Sequence, residues 1–191
     1  MTDTHFIKDL KSGNEQAFQQ LVNEYKDKVL NTCYGFINNR EEAEDLSQEV
    51  FIEVFRSISK FKGQSKLSTW IYRIAVTKSL EEIRSRKRQK RAAYFKSLIG
   101  LEVAQEIVAT KDKDPHVLLE DQQRLLILET AIEKLAENQR ISFVLHKYEQ
   151  LSYKEAAEVM GISLSAVESL IHRAKINLKK HLHDYYKKKL I

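Results

Sequence analysis

The sequence predicts an all-α protein made of two small helical domains joined by a linker. Apolar residues recur at spacings of three and four along most of the chain, the period of a helix with one buried face. No run alternates apolar and polar residues long enough to make a strand. Only five Gly and one Pro occur in 191 residues, so tight turns are scarce. We place a three- or four-helix bundle at residues 1–92, a linker at 93–114 and a helix-turn-helix domain at 115–191. With 42% hydrophobic residues and a formal net charge of +5, each half can bury a modest core.

The first long helix is expected from Asn14 to Ile37, with Phe18, Leu21, Val22, Tyr25, Val29, Cys33 and Phe36 on one stripe. Asn38 and Asn39 break it, since Asn favours turns. An acidic helix follows over Glu41–Ser59, with Leu46, Val50, Phe51, Val54, Phe55 and Ile58 inward. Phe61–Ser65 is a loop, after which Ser68 or Thr69 caps a third helix. That helix carries Trp70, Ile71, Ile74, Ala75 and Ile83 and ends in the basic run Arg84–Arg91. The pattern weakens from Ala92 to Lys113, where Val103, Ile107 and Val108 allow at most a short helix. A second helical unit starts near Asp114-Pro115, a fitting cap and first-turn pair. Its inner face is expected to hold Leu118, Leu125, Leu128, Ile132 and Leu135. Glu137–Tyr148 forms the next helix, with Ile141, Val144 and Leu145 inward.

The segment Ser152–Lys180 has the pattern of a helix-turn-helix. Ser152 and Glu155 make a capping box, and Ala156 and Ala157 let a neighbouring helix approach closely. Gly161 suits a left-handed helix end, Ile162 is expected to plug the core, and Ser163 can cap the next helix. Val167, Leu170, Ile171, Ala174 and Leu178 face inward at helical spacing. Ser165, Glu168, Ser169, His172, Arg173, Lys175 and Lys179 are left outward, where the first turns of such a helix reach the major groove.

Catalysis finds no support in the sequence. The six histidines (His5, His116, His146, His172, His181, His183) form no ligand cluster, and His181 and His183 diverge on a helix. Neither a zinc-protease motif, a Gly-rich phosphate loop nor a nucleophile motif is found. We expect no cofactor, no metal, no catalytic residue and no small-molecule substrate. A lone Cys33 at apolar spacing fits a buried thiol in a reducing compartment. The first residues lack a signal-peptide core, and no stretch approaches the roughly 20 apolar residues of a membrane span. A soluble, cytoplasmic protein is expected.

The acidic helix is the unusual element. Glu41, Glu42, Glu44, Asp45, Glu49 and Glu53 have almost no basic residue within their helix to offset them. Asp45, Gln48 and Glu49 form a polar ridge that repels phosphate but can pair with arginines of a partner protein. AEDLSQEVF (43–51) and FKGQSKLSTWIYRIA (61–75), followed by the basic helix end, resemble domain 2 of the extracytoplasmic-function (ECF) sigma factors of bacterial RNA polymerase, group 4 of the sigma-70 superfamily. LAENQRISFVLHKYEQLSYKEAAEVMGISLSAVESLIHRAKINLKK (135–180) resembles domain 4 of the same family. The two motifs stand in family order, about a linker apart.

The resemblance implies a protein that directs the polymerase core to promoters and helps melt the −10 element. It implies that Asp45, Leu46, Gln48, Glu49 and Phe51 meet the clamp helices of the β′ subunit, and that domain 4 meets the β flap. It further implies −10 DNA contacts from Leu67, Ser68, Thr69, Trp70, Tyr72, Arg73, Thr77, Lys78, Arg84 and Arg88. Strand separation needs aromatic platforms for unstacked bases and a basic track for the backbone, which these residue types supply. Contacts to a −35 duplex are implied for Ser152, Tyr153, Lys154, Ser163, Ser165, Glu168, Ser169, His172, Arg173 and Lys175. Leu67 and Thr77 stand where the family commonly has Phe and Asn, and Glu168 where it often has a basic residue, so the promoter sequence is not legible. An anti-sigma factor, of which a membrane-tethered inhibitor is one form, is the further implied partner. A stand-alone repressor would bind a palindromic operator as a dimer and would have no use for the Asp45–Phe51 ridge.

Overall fold

A computed structural model describes residues 4–98 and 119–189, which form helices with no strand among them. The helices are α1 (Thr4–Lys11), α2 (Glu15–Ile37), α3 (Arg40–Ser57), α4 (Leu67–Leu98), α5 (Leu119–Glu133), α6 (Glu137–Lys147), α7 (Tyr153–Met160) and α8 (Leu164–Lys189). A 3₁₀ turn, Ile58–Lys60, extends α3. Short polar side chains set the starts of α2 and α3. Asn14 accepts from the Ala17 backbone N–H at 3.1 Å and Asn39 from that of Glu42 at 3.2 Å. Asn38 ends α2 in the left-handed region, at φ 56°.

α2, α3 and α4 pack on one another through Leu21, Val29, Phe36, Val50, Val54 and Ile71, all nearly or fully buried. α1, which the sequence reading did not anticipate, docks Leu10 onto this bundle. In the second half, Ala131, Ile132 and Leu135 meet Ala174 and Leu178 of α8. Ser152 and Glu155 form the predicted capping box, Gly161 lies at φ 66°, and Ser163 Oγ accepts from the Ala166 N–H at 3.2 Å.

Five expectations are corrected. Neither Ser68 nor Thr69 caps the third helix, because α4 already begins at Leu67 and holds both inside its first turn. Phe55 is exposed rather than inward, resting edge-on against Phe18 at 5.1 Å. On α5 the buried face is Ile127, Ala131 and Ile132, while Leu125 and Leu128 face outward, because α8 covers the neighbouring stripe. Ile162 is exposed, since the left-handed Gly161 turns the chain away from the core. The helix bearing the basic run also does not stop at residue 92, because α4 continues to Leu98. Val103, Ile107, Val108, Leu118 and the Asp114-Pro115 cap lie outside the described residues.

The two halves do not stand apart. One continuous core runs from Leu21 and Phe36 through Ile71 to Ile141, Val144, Ala156 and Val167. At the seam, Gly35 of α2 meets Val144 of α6 so closely that an added Cβ would lie 2.7 Å from a Val144 methyl. The buried Arg140 side chain donates to the Phe36 carbonyl, and its guanidinium lies 5.7 Å from the Phe36 ring. Replacing Ser152 with Ala should cost about 1 kcal/mol of stability through the lost cap. A lower urea midpoint at unchanged slope would show it.

Candidate nucleic-acid and partner interface

α4 gathers most of the residues expected at a melted strand. Trp70 packs on Phe61 with ring centroids 5.4 Å apart and stays half-buried, which fixes its plane at the bundle surface. Trp70, Arg73, Thr77 and Lys78, with Ile74, Glu53 and Glu81, line an open cleft of about 400 Å³. Such a volume is ample for one base, and a basic rim beside an aromatic wall is the arrangement that holds unstacked bases. Glu53 is one of the acids of α3 noted in the sequence, brought here only by the packing of α3 on α4; Glu81 is not marked by the sequence except by its place one turn beyond Thr77 and Lys78. Beyond the cleft, Arg84 and Arg88 continue the exposed basic edge of α4.

Other members of that set are placed differently. Leu67 and Thr69 are buried and shape the start of α4 rather than face outward. Ser68 is half-buried between them. Tyr72 is also buried, and its hydroxyl donates to Glu149 Oε2 at 3.0 Å. Arg73 donates to the carbonyls of Glu158, at 2.5 Å, and Val159, at 3.2 Å, at the end of α7. Those are carbonyls a helix leaves without internal partners, at its negative dipole end. Arg84 pairs with Glu137 at 2.7 Å and Lys66 with Glu155 at 3.7 Å. Part of the expected DNA face is thus occupied by the second half of the chain.

Glu149 sits in the α6–α7 turn, followed by Gln150 at φ 54°, and points into the seam. Burial pushes its carboxyl up to about 7, against which the Tyr72 and Thr32 hydroxyls and the Lys28 charge pull downward. The Thr32 hydroxyl already donates to the Lys28 carbonyl at 2.8 Å, and Glu149 Oε1 is buried without a hydrogen-bond partner. Tyr72, facing this carboxyl, is raised by burial first and by Glu149 second. Cys33 lies in the same region, fully buried, with its thiol pushed up to about 12 by burial, so it is no nucleophile.

α8 carries the second surface. Ser165, Glu168, Ser169, His172, Arg173 and Lys175 are exposed along one side, whereas Val167, Ile171 and Ala174 are buried on the other. Ser163 is exposed at the helix start, and Arg173 Nε donates back to the Ser169 carbonyl at 3.2 Å. Ser152 and Lys154 are exposed, while Tyr153 is half-buried edge-on against His146 at 4.7 Å.

The third surface is the ridge on α3. Asp45 and Gln48 are exposed and carry no hydrogen bond or ion pair among the described residues. Glu49 is exposed and lies 3.9 Å from Lys78, a weak pair. Leu46 is buried beneath the ridge and Phe51 is half-buried. Of the neighbouring acids, Glu42 lies 2.5 Å from Arg86 of α4 and Glu44 2.9 Å from Arg40, one turn earlier on α3 itself.

With this geometry in place, comparison with known proteins becomes specific. Residues 21–89 match the family model for sigma-70 region 2, and residues 125–178 that for sigma-70 region 4. The chain is 36% identical over 183 residues to the ECF RNA polymerase sigma factor SigW of Bacillus subtilis (strain 168), spanning 93% of this chain and 95% of that protein. The chain belongs to the ECF RNA polymerase sigma factors. The RNA polymerase sigma-H factor of Pseudomonas aeruginosa is a further relative, 29% identical over 188 residues, spanning 94% of this chain and 93% of its own. The fold is shared with CnrH, solved in complex with the cytosolic domain of CnrY, at a TM-score of 0.66 and 22% identity over 95% of this chain and 97% of that one. It is shared too with the sigma factor RpoE of Bartonella quintana, at a TM-score of 0.61 and 19% identity over 87% and 96%.

An ECF sigma factor is a promoter-specific transcription initiation factor. In this sigma factor region 2 spans α2 to the basic part of α4, and region 4 spans most of α5 to α8. No helix among the described residues is long and apolar enough to cross a membrane.

Because the Glu149 carboxyl titrates higher when buried than its ordinary 4.5, the folded chain holds that proton more tightly than the unfolded one. Its contribution is therefore complete below about pH 4.5 and is lost as pH rises toward 7. Urea denaturation of wild type and Glu149→Gln at intervals across that window should show wild type losing stability relative to the variant as pH rises. A gap independent of pH would place the Glu149 carboxyl in water.

Proposed function

We propose that this sigma factor works through three surfaces, of which the α3 ridge and the α4 cleft adjoin where Glu49 lies 3.9 Å from Lys78. The α3 ridge binds the β′ clamp helices of the polymerase core through Asp45, Gln48 and Glu49, with Phe51 beside them and Leu46 fixing the helix from beneath. The α4 cleft receives the −10 strand. There Trp70 offers a stacking plane, Arg73, Lys78, Arg84 and Arg88 attract the backbone, and Ser68 and Thr77 supply hydroxyls, while the buried Tyr72 braces α4 from behind. Leu67 and Thr69 shape the helix start behind that surface. The exposed side of α8, with Ser152, Tyr153 and Lys154 at the neighbouring helix start, reads the −35 duplex, while region 4 also rests on the β flap.

The observation that supports this reading best is the division of α8. Its first turns expose Ser165, Glu168, Ser169, His172 and Arg173, yet Val167, Ile171 and Ala174 anchor the helix in the core. Glu168 can accept from a cytosine amino group, and the basic residues hold phosphates. The protein performs no covalent chemistry, since strand opening in this reading comes from binding energy alone, and it acts in the cytoplasm with the polymerase. CnrH and RpoE were each solved with a protein bound, the cytosolic domain of CnrY and the anti-sigma factor NepR. By extension we assign this chain an anti-sigma factor that covers its polymerase-binding surfaces.

Run-off transcription with core polymerase tests the ridge. Asp45→Arg combined with Gln48→Ala should abolish initiation while leaving the fold intact by circular dichroism, and initiation at the wild-type level would remove the ridge from the mechanism. On α8, Arg173→Ala should weaken duplex binding and flatten the dependence of log K on log salt by about one phosphate contact. An unaltered slope would show that Arg173 faces no phosphate.

A further inference from the structure

One carboxyl group of region 4 reaches in among the side chains of region 2. Glu149 projects from the turn between α6 and α7, half-buried, with its Oε1 enclosed. The turn that carries it is tied back on itself. Gln150 is held at φ 54°, the Leu151 N–H donates to the Leu145 carbonyl at 3.1 Å, and His146 Nδ1 lies 3.0 Å from the Leu151 carbonyl. The backbone thus fixes the carboxyl in the seam, where both of its oxygens must find partners.

The surrounding groups decide which form of the carboxyl fits. From α4, the Tyr72 hydroxyl donates to Oε2 at 3.0 Å. From α2 come the Thr32 hydroxyl, the Lys28 charge and the Cys33 thiol, while Tyr25 of α2 and Glu155 of α7 act on Tyr72. Lys28 is exposed, lies 5.1 Å from the Tyr25 ring centroid and makes no ion pair with Glu149 among the described residues. Thr32 is the deciding neighbour. A hydroxyl carries one hydrogen, and that of Thr32 already donates to the Lys28 carbonyl at 2.8 Å. Were that hydrogen free it would favour the ionised carboxylate; committed elsewhere, Thr32 offers Glu149 only lone pairs. A carboxylate accepts and cannot donate, so its Oε1 would face oxygen unpaired. The acid form satisfies both ends, with Oε1–H directed toward the Thr32 oxygen and Oε2 accepting from Tyr72.

We propose that Glu149 enters region 2 as a carboxylic acid, so that contact between the two regions binds one proton. Burial acts in the same direction, lifting the carboxyl from its ordinary 4.5 to about 7. Below about pH 4.5 the group is protonated whether seated or free, and contact is strongest. As pH rises toward 7 a free Glu149 ionises while a seated one does not. The ratio of joined to separated regions then falls by up to about tenfold per pH unit, and it levels off above about 7. By reciprocity, whatever parts the regions releases the proton. A second carboxyl of region 4, Glu129 of α5, is also raised by burial and accepts from Tyr34 of α2 at 2.9 Å, so a smaller response exists beside that of Glu149.

Small-angle scattering of the full chain at fixed ionic strength, from about pH 4.5 to above 7, tests the proposal. Glu149→Gln mimics the acid, since its carbonyl accepts from Tyr72 and its amide donates toward Thr32. Histidines titrate in the same range, and this change leaves all six in place, as it does Glu129. The wild-type radius of gyration should grow as pH rises across the window, and Glu149→Gln should lose most of that growth. A wild type that keeps one radius throughout, or a variant that expands as wild type does, overturns the proposal. Thr32→Val gives an independent reading should Glu149→Gln fail to fold by circular dichroism. Removing the acceptor of the acid form should start the expansion at lower pH. A start at higher pH would make Thr32 a donor to an ionised carboxylate, and that too overturns the proposal.

Discussion

The arrangement of this molecule depends on the close contact of α2 and α6 at Gly35. Val144 is β-branched and stiff, so its methyls cannot swing aside to admit a Cβ. With hydrogen alone at that position, the helices come near enough for Arg140 to reach the Phe36 carbonyl and for one apolar core to continue across both regions. The buried guanidinium shows what this contact demands. Burial disfavours its charge, and its Nε lies buried without a partner. A group so enclosed is tolerated only where the surrounding packing holds.

From that seam the electrostatics of the rest follow. Region 2 presents acids on α3 and bases on α4, joined by Arg86, which contacts Glu82 at 2.7 Å and Glu42 at 2.5 Å. Region 4 presents bases on α8 and acids on the edge of α6 and α7. Closing the two regions sets the acidic edge of one against the basic helix of the other, while the α3 ridge and the outer side of α8 stay exposed. Each exposed pair contributes at most about 1 kcal/mol, so apolar burial at the seam sets the strength of closure and the charges set its register.

Local features were legible in the sequence, and distant ones were not. Ser152 with Glu155, Gly161 and Ser163 act as the caps the sequence predicts, because a cap is decided within four residues, whereas Ser68 and Thr69 fall inside α4 and cap nothing. The outward side of α8 was legible for a similar reason, since its period is regular from Ser165 to Lys175. Phe55, Leu125 and Ile162 were misassigned because periodicity identifies an apolar stripe without saying which neighbour covers it. Leu125 and Ile127 lie close together on α5, and only the position of α8 buries one and leaves the other exposed. Contacts such as Tyr72 with Glu149, 77 residues apart, leave no local signal at all. The trace of the seam in the sequence is Gly35 in the last turn of α2, where helix propensity argues against it.

The length of α4 carries a consequence of its own. At 32 residues it measures about 48 Å, and only its first half is held by the bundle core. The exposed cations Lys87, Arg88, Lys90 and Arg91 ride on the outer part of this rod. Exposed charges are screened over about 8 Å at physiological salt, and Arg88 still lines a cleft with Leu46 and Glu49 of α3, so the influence of those acids fades only beyond it. Cations strung along a rod project a positive potential well beyond the bundle, although the net charge of the whole chain is only +5.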